Sequence, residues 1–302
     1  MTTDTLHHHH HHLVPMPSGI PFPELYQTMM NWRTPVAGIL MYLTIVYLWT
    51  IQVVKKQQQS KKISSSSTCN EKMTNSHSNN SKHQSSVMTF FVLLHNIALA
   101  SYSGLTFYKM VTALDRTRSR DDGTSLFVKV CDLDEYHWND ALGYWGYFFY
   151  LSKFYEFIDT FIILLKGRKP SLLQEYHHAG AIITMWAGIR YRTTAIWLFV
   201  TFNSFIHTLM YTYYASTTMG FHPPGKKYLT TLQISQFLLG MTVAALYLLT
   251  PGCSETPGEQ FTLKLNLTYL MPLTFLFLDF ARKTYGRHQQ VNSHHYINKK
   301  TT

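Results

Sequence analysis

Seven long apolar windows limit what this chain can fold into. They lie near residues 34–54, 87–108, 142–166, 173–190, 194–215, 228–250 and 264–285. Each is close to the roughly 20 residues that an α-helix needs to cross a lipid bilayer. The windows predict an all-α integral membrane protein with seven transmembrane helices. The alternative is a soluble all-helical protein with buried helices, although few soluble chains need seven such segments.

Polar segments flank and interrupt these windows, which is why the mean hydropathy of the chain is close to zero. Residues 1–33 are predicted to be an N-terminal tail, and its histidine run at 7–12 is typical of a purification tag. Residues 34–285 are the predicted membrane domain, and residues 286–302 are a C-terminal tail. Ser, Asn, Gln and Lys dominate residues 55–86, which predicts a disordered loop because almost nothing there can be buried.

The distribution of Lys and Arg among the loops predicts the orientation of the chain. If the N-terminus is lumenal, the cytosolic loops hold about twice as many of these residues as the lumenal loops, in agreement with the positive-inside rule. The terminal KKTT then resembles a dilysine signal on a cytosolic tail, which predicts the endoplasmic reticulum membrane. The asymmetry accounts for the net charge of +10 without nucleic acid, and it favours anionic lipid or an anionic substrate.

Two cysteines, Cys131 and Cys253, both fall on the lumenal side in this orientation. Their spacing fits no metal-binding motif. A disulfide between them is compatible with the predicted topology, and the sequence leaves the pairing open.

Ionisable side chains inside predicted membrane spans are costly, so each is a candidate functional residue. The third window contains KFYEFIDTF, with Lys153, Glu156 and Asp159 three residues apart. On a continuous helix these side chains spread over about 120° of one face, where they can pair with one another or with a neighbouring helix. A purely structural ion-pair network is the alternative.

The fourth window opens with LLQEYHHAG, which places Gln174, Glu175, His177 and His178 in an otherwise apolar segment. Helical spacing puts Gln174 and Glu175 on the face of His178, whereas the two adjacent histidines point about 100° apart. The alternative is that each histidine has only a structural role, buried and hydrogen-bonded in the core.

The fifth window contains NSFIHTLMYTYY, in which Asn203, His207 and Tyr211 are four apart in succession and form a polar stripe. Other windows add further polar side chains, namely His95, Asn96 and Gln233. Together these residues predict a polar-lined cavity inside a helical bundle.

The histidines do not have the spacing of a metal site. Gln174 stands where a HxxHH box would have its first ligand, and Gln is a poor ligand for transition metals. We therefore predict no metal. Imidazole can instead accept an acyl group or move a proton near neutral pH.

LHNIAL, KFYEFIDTFIILLKGRKPSLLQEYHH, NSFIHTLMYTYY and TLQISQF occur in an order and spacing that resemble the very-long-chain fatty acid elongases. The resemblance covers about residues 87–285. It implies a 3-ketoacyl-CoA synthase of the endoplasmic reticulum with seven transmembrane helices, six of them enclosing an acyl tunnel. Such an enzyme condenses a long-chain acyl-CoA with its co-substrate malonyl-CoA, releasing CoA and CO₂, and needs no other cofactor.

The resemblance also assigns roles to the candidate residues. His177 would be the nucleophile that accepts the acyl chain, and His207 would deprotonate or stabilise the malonyl-derived enolate. His178, Glu175 and Asn203 would orient the imidazoles. The K-x-x-E-x-x-D side chains would lie near the active site, with the remaining polar residues of the windows in supporting positions.

The phosphates of CoA would meet cations in two cytosolic loops. These cations are Lys166, Arg168, Lys169, Lys226 and Lys227. The alternative role for the same residues is to set the topology. The implied partners are a 3-ketoacyl-CoA reductase, a 3-hydroxyacyl-CoA dehydratase and an enoyl-CoA reductase, together with membrane lipid and a second copy in a homodimer.

The chain departs from the family pattern at one place, because its box reads QEYHH where HxxHH is usual. Gln at this place resembles elongases of microbes and protists that act on polyunsaturated acyl chains, and it predicts such a substrate. A seven-helix receptor or transporter, or a metal-dependent lipid desaturase, is the alternative function.

Overall fold

The computed structural model of the protein describes residues 14–66 and 78–300, with side chains for residues 14–62 and 86–285. The histidine run at 7–12 lies outside the described residues. The described part is all helical and contains no β-strand.

Ten α-helices are described in chain order. They are α1 (Pro23–Met30), α2 (Arg33–Ser66), α3 (Ser78–Ser119), α4 (Leu126–Cys131), α5 (Gly143–Tyr155), α6 (Phe157–Leu165), α7 (Leu172–Arg190), α8 (Ile196–Thr218), α9 (Lys226–Leu249) and α10 (Pro257–Lys300). A π-helical turn, Trp138–Leu142, leads directly into α5.

All seven apolar windows are helical, which confirms the all-α prediction. Four helical segments are long and apolar enough to cross a membrane, and these are Arg33–Lys62, Ser86–Ser119, Lys226–Leu249 and Pro257–Tyr285. In each of the four, at most 39% of the apolar window is buried. The windows that became α5–α6, α7 and α8 fall short of this criterion because a helix break or polar side chains interrupt them.

The interrupted helices lie inside the bundle. α5 packs against α7, α3 runs along α8, α9 packs against α10, and α10 also covers α7. α2 packs on the outside against α6 and α7. Polar side chains are tolerated on helices that face other helices rather than lipid, so this arrangement explains where the polar residues of the sequence are placed.

Side-chain caps define where the inner helices begin. The hydroxyl of Ser171 accepts a hydrogen bond from the backbone N–H of Gln174 at 3.2 Å, which fixes the start of α7. Thr256 and Glu259 form a reciprocal capping box at the start of α10, with Pro257 at the first helical position.

The predictions for the polar tract and the N-terminal tail need correction. Residues 55–66 continue α2 and residues 78–86 begin α3, whereas a disordered loop had been expected; residues 67–77 lie outside the described residues. Lys and Gln are good helix formers, so a helix that leaves the apolar segment can continue into them. Within the tail, α1 buries Tyr26 against Tyr147, with ring centroids 4.9 Å apart.

One end of the bundle, called here the disulfide end, is tied by a disulfide between Cys131 and Cys253, 122 positions apart in the chain. The carboxylate of Asp132 accepts the backbone N–H groups of His137 at 2.7 Å and Trp138 at 2.8 Å. Burial raises the pKa of Asp132 to about 6, despite these two hydrogen bonds. Asp132 thus anchors the turn that leads into α5.

His137 should make the stability of the disulfide end depend on pH. Burial lowers its pKa from 6.5 to about 4. Between these values the unfolded chain binds a proton that the folded chain does not, so stability is lost as the pH falls from 6.5 towards 4. In detergent, we expect the unfolding temperature of wild type minus that of His137→Asn to decrease as the pH is lowered from 7 to about 4.5. The titration of Asp132 contributes equally to both proteins and cancels in this difference. A difference that does not change with pH would contradict the lowered pKa of His137.

Candidate active site

A buried charge network joins α5, α8 and the residue between α5 and α6. The ammonium of Lys153 donates to Glu156 Oε1 at 2.7 Å and to Asn203 Oδ1 at 3.1 Å. Nδ1 of His207 lies 3.6 Å from the same Glu156 oxygen. All four side chains are buried. One carboxylate oxygen therefore faces both the lysine and the histidine.

A break in the helix separates Glu156 from Asp159. α5 ends at Tyr155 and α6 begins at Phe157, so Glu156 sits at the break. Asp159 turns to other partners: its Oδ1 lies 2.9 Å from His95 Nε2, and its Oδ2 accepts from the hydroxyl of Tyr211 at 2.6 Å. The helix that carries Lys153, Glu156 and Asp159 is thus interrupted rather than continuous, and these residues pair both with one another and with neighbouring helices, as the sequence allowed.

The first turns of α7 carry the two adjacent histidines. The side-chain amide nitrogen of Gln174 lies 2.8 Å from Nε2 of His178, as the four-residue spacing predicts. The His178 ring also packs edge-on against Tyr42 and Phe157. His178 is consequently held by its own helix and by two aromatic rings.

His177 differs from its neighbour. It is half-buried, and its one hydrogen bond to a described side chain is made by its backbone carbonyl, not by its ring. Its ring centroid lies 5.4 Å from that of His178 and 6.4 Å from that of His207. His178 pairs with Gln174 and His207 faces Glu156, whereas the ring of His177 has neither a hydrogen bond nor an ion pair with a described residue.

Two predicted orienting residues lie elsewhere. Glu175 was expected to share a site with His178, but its side chain lines a groove towards α2 with Lys55 and Lys169. Asn203 was expected to orient an imidazole, but its amide oxygen accepts from Lys153. In each case the spacing correctly places the residue on the same helix face as a histidine. Its side chain nevertheless contacts a different partner because of how the neighbouring helices pack.

The remaining predicted residues divide between the interior and the surface. Asn96 is buried beside His95, and Gln233 approaches Met210 Sδ at 3.6 Å. The predicted CoA-binding cations are exposed in the α6–α7 turn and at the start of α9, namely Lys166, Arg168, Lys169, Lys226 and Lys227. Within the part of the chain that has side chains described, no three His, Cys, Asp or Glu residues are grouped as metal ligands would be.

The sequence reasoning missed Tyr269 of α10. Its hydroxyl donates to the backbone carbonyl of His177 at 3.1 Å, and its ring stacks on Tyr176. This approach is allowed by Gly180, because a Cβ at that position would overlap the Tyr269 ring. A glycine immediately after HHA in a helix was the available signal for such a contact.

Replacing Gly180 with alanine should destabilise the protein by about 1–3 kcal/mol, since the buried Tyr269 ring must move. The matched control is Gly240→Ala, where the added carbon would meet Leu270 at an ordinary 3.5 Å. Because alanine is the better helix former, the control should be neutral or slightly stabilised. Thermal unfolding in detergent measures both, and equal shifts would argue against the role of Gly180.

This arrangement can be compared with known proteins. The profile of the ELO: GNS1/SUR4 family matches residues 27–293, which is most of the chain. The chain belongs to the ELO family. The match includes every helix of the candidate site, so the two histidines of α7 and the polar stripe of α8 are part of the ELO domain.

Several proteins named fatty acid elongases are similar in sequence to this ELO-family chain. Fatty acid elongase A of Dictyostelium discoideum is 34% identical over 152 residues, which are 50% of this chain and 54% of that protein. Fatty acid elongase 2 of Trypanosoma cruzi is 27% identical over 213 residues, or 67% and 75% of the two chains. Very long chain fatty acid elongase 5 of Xenopus laevis is 29% identical over 211 residues, or 65% of each. The chain thus spans little more than half the length of the first of these relatives.

Proposed function

We propose that this protein is a fatty acid elongase that condenses a long-chain acyl-CoA with malonyl-CoA to give a 3-ketoacyl-CoA, CoA and CO₂. The observation that carries the proposal is His177, whose half-buried ring has no hydrogen-bond partner among the described residues and lies 6.4 Å from the ring of His207. Relatives named fatty acid elongases support the same reaction.

In the first step a ring nitrogen of His177 attacks the thioester carbonyl. The carbon–sulfur bond breaks, an acyl-imidazole forms, and CoA leaves as the thiol with the proton of the imidazole. A histidine can act as such a covalent carrier because it splits one difficult step into two easier ones.

In the second step malonyl-CoA loses CO₂, and the resulting enolate carbon attacks the acyl group. The carbon–nitrogen bond to His177 breaks, and the imidazolate that leaves takes a proton from water, which restores the neutral ring. His207 stabilises the enolate oxygen from the opposite helix, while Glu156 beside its Nδ1 fixes the ring. His178 and Gln174 hold the start of α7 in place.

The proposal extends to the membrane. Seven helices span the endoplasmic reticulum membrane, and six of them enclose a tunnel for the acyl chain. The N-terminus is lumenal and the C-terminus cytosolic, which puts the disulfide end in the oxidising lumen and the exposed loop cations on the cytosolic side. Those cations bind the phosphates of CoA. A homodimer, and reductase and dehydratase partners that complete the elongation cycle, belong to the same proposal.

The test is an assay of membranes that contain the protein, with radiolabelled malonyl-CoA and a panel of saturated and polyunsaturated acyl-CoAs. Label should enter a product two carbons longer than the primer, and the presence of Gln174 leads us to expect preference for polyunsaturated primers. Membranes without the protein are the control. If correctly inserted protein incorporates no label with any primer, the proposed condensation is wrong.

A further inference from the structure

A groove runs along the outside of the bundle between α2 and the start of α7. Its volume is about 450 Å³. The apolar wall comes from α2, and its members include Leu43, Val46, Tyr47, Ile51 and Val54.

Cations stand at one end of this groove. Lys55, Lys169 and Glu175 line it there. Both lysines are exposed, and Lys169 interacts electrostatically with Glu175. The two lysines and one carboxylate leave one net positive charge.

The groove has the depth of a single leaflet. Leu43 and Lys55 are twelve residues apart, which is about 18 Å along a helix. Half of the hydrocarbon core of a bilayer is about 15 Å thick. An acyl chain that reaches from the lysines along the apolar wall would therefore end near the middle of the membrane.

We propose that this groove binds one anionic glycerophospholipid of the leaflet at the lysine end. Its phosphate lies between Lys55 and Lys169, so Lys169 serves this lipid and the other four loop cations are left for CoA. One acyl chain lies against the apolar wall of α2. The proposal depends on α2 being in the membrane and does not depend on the proposed condensation.

The charge of the groove selects this occupant. One net positive charge matches a headgroup with a single phosphate, whereas the several phosphates of CoA would be repelled by Glu175 without further cations in the groove. A second copy of the chain would bring its own Lys55 and Lys169 towards these lysines, which is unfavourable. Glu175 and His177 are two positions apart on α7, so the lipid would lie directly behind the candidate active site.

Native mass spectrometry of the purified protein tests the proposal, with phosphatidic acid and phosphatidylcholine of identical acyl chains as probes. Each lysine near an anionic headgroup contributes about fivefold to affinity. Retention of phosphatidic acid by Lys55→Gln/Lys169→Gln should therefore fall about 25-fold, while retention of phosphatidylcholine should not change. The matched control is Lys226→Gln/Lys227→Gln, which removes the same charge from the start of α9 and should retain phosphatidic acid as wild type does.

A phosphatidic acid with a photoreactive acyl chain locates the site. Its crosslinks should map to α2 between Leu43 and Val54. As a folding control, both double variants should unfold at the wild-type temperature in phosphatidylcholine. Equal retention by wild type and the groove variant, or an equal loss in the α9 control, would overturn the proposal. The proposal would also be overturned if an acyl-CoA protected the crosslinked residues better than phosphatidic acid does. It would be overturned as well if the groove variant lost self-association but kept its lipid.

Discussion

His177→Ala should lower the rate of product formation by at least about 10³-fold, because it removes the proposed nucleophile. The fold should tolerate the change. No described residue hydrogen-bonds the His177 ring, and the contact from Tyr269 goes to the backbone carbonyl, which alanine retains. The loss should therefore appear in turnover rather than in the unfolding temperature.

His222→Ala is the matched control for this substitution. His222 is exposed in the α8–α9 loop, where its Nδ1 lies 3.0 Å from the carbonyl of Gly220, and its loss should leave the rate within about twofold of wild type. A His177→Ala variant that keeps more than about a tenth of the rate, in protein that unfolds at the wild-type temperature, would exclude His177 as the nucleophile.

Trapping the intermediate separates a nucleophile from a residue that only binds substrate. Incubation with acyl-CoA alone should leave an acyl group on the peptide that contains His177 and release one CoA thiol for each acyl group bound. An acyl mass on His207 instead would exchange the proposed roles of the two histidines, whose ring centroids are 6.4 Å apart.

Local spacing along single helices was predictable from the sequence. Gln174 and His178 pair across one turn of α7, and Asn203, His207 and Tyr211 all lie buried on one face of α8. Helical geometry alone fixes these relations, because residues four apart are neighbours wherever the helix lies.

Relations between helices were less predictable. The break at Glu156 cannot be derived from KFYEFIDTF, which contains neither Gly nor Pro, and it sends Asp159 to His95 on α3. Glu175 faces the outer groove because α2 packs on that side of α7. The face of a helix that becomes interior depends on its neighbours, and that information is distributed over the whole chain.

The second large effect is expected at the buried ion pair. Lys153→Met should destabilise the protein by about 3–5 kcal/mol, since it leaves the carboxylate of Glu156 buried and without its cation. Oε2 of Glu156 already has no hydrogen-bond partner among the described residues, so little remains to compensate the charge. The Lys153 ammonium also lies 3.9 Å from the centroid of the Phe149 ring, a contact that methionine replaces only in part.

The double variant Lys153→Met/Glu156→Gln distinguishes a cost of unpaired charge from a cost of lost packing. Removing both charges of a buried pair is often close to neutral, so the double variant should recover most of the stability, with a coupling energy of at least about 2 kcal/mol. Thermal unfolding of the four proteins of the cycle, in one detergent, measures it. If the effects of the two substitutions simply add, the pair contributes packing alone and the buried network does not hold its members through charge. If the double variant is as stable as wild type but forms no product, the ion pair is needed for the chemistry at His207 and not for folding. His207 faces the same carboxylate oxygen of Glu156.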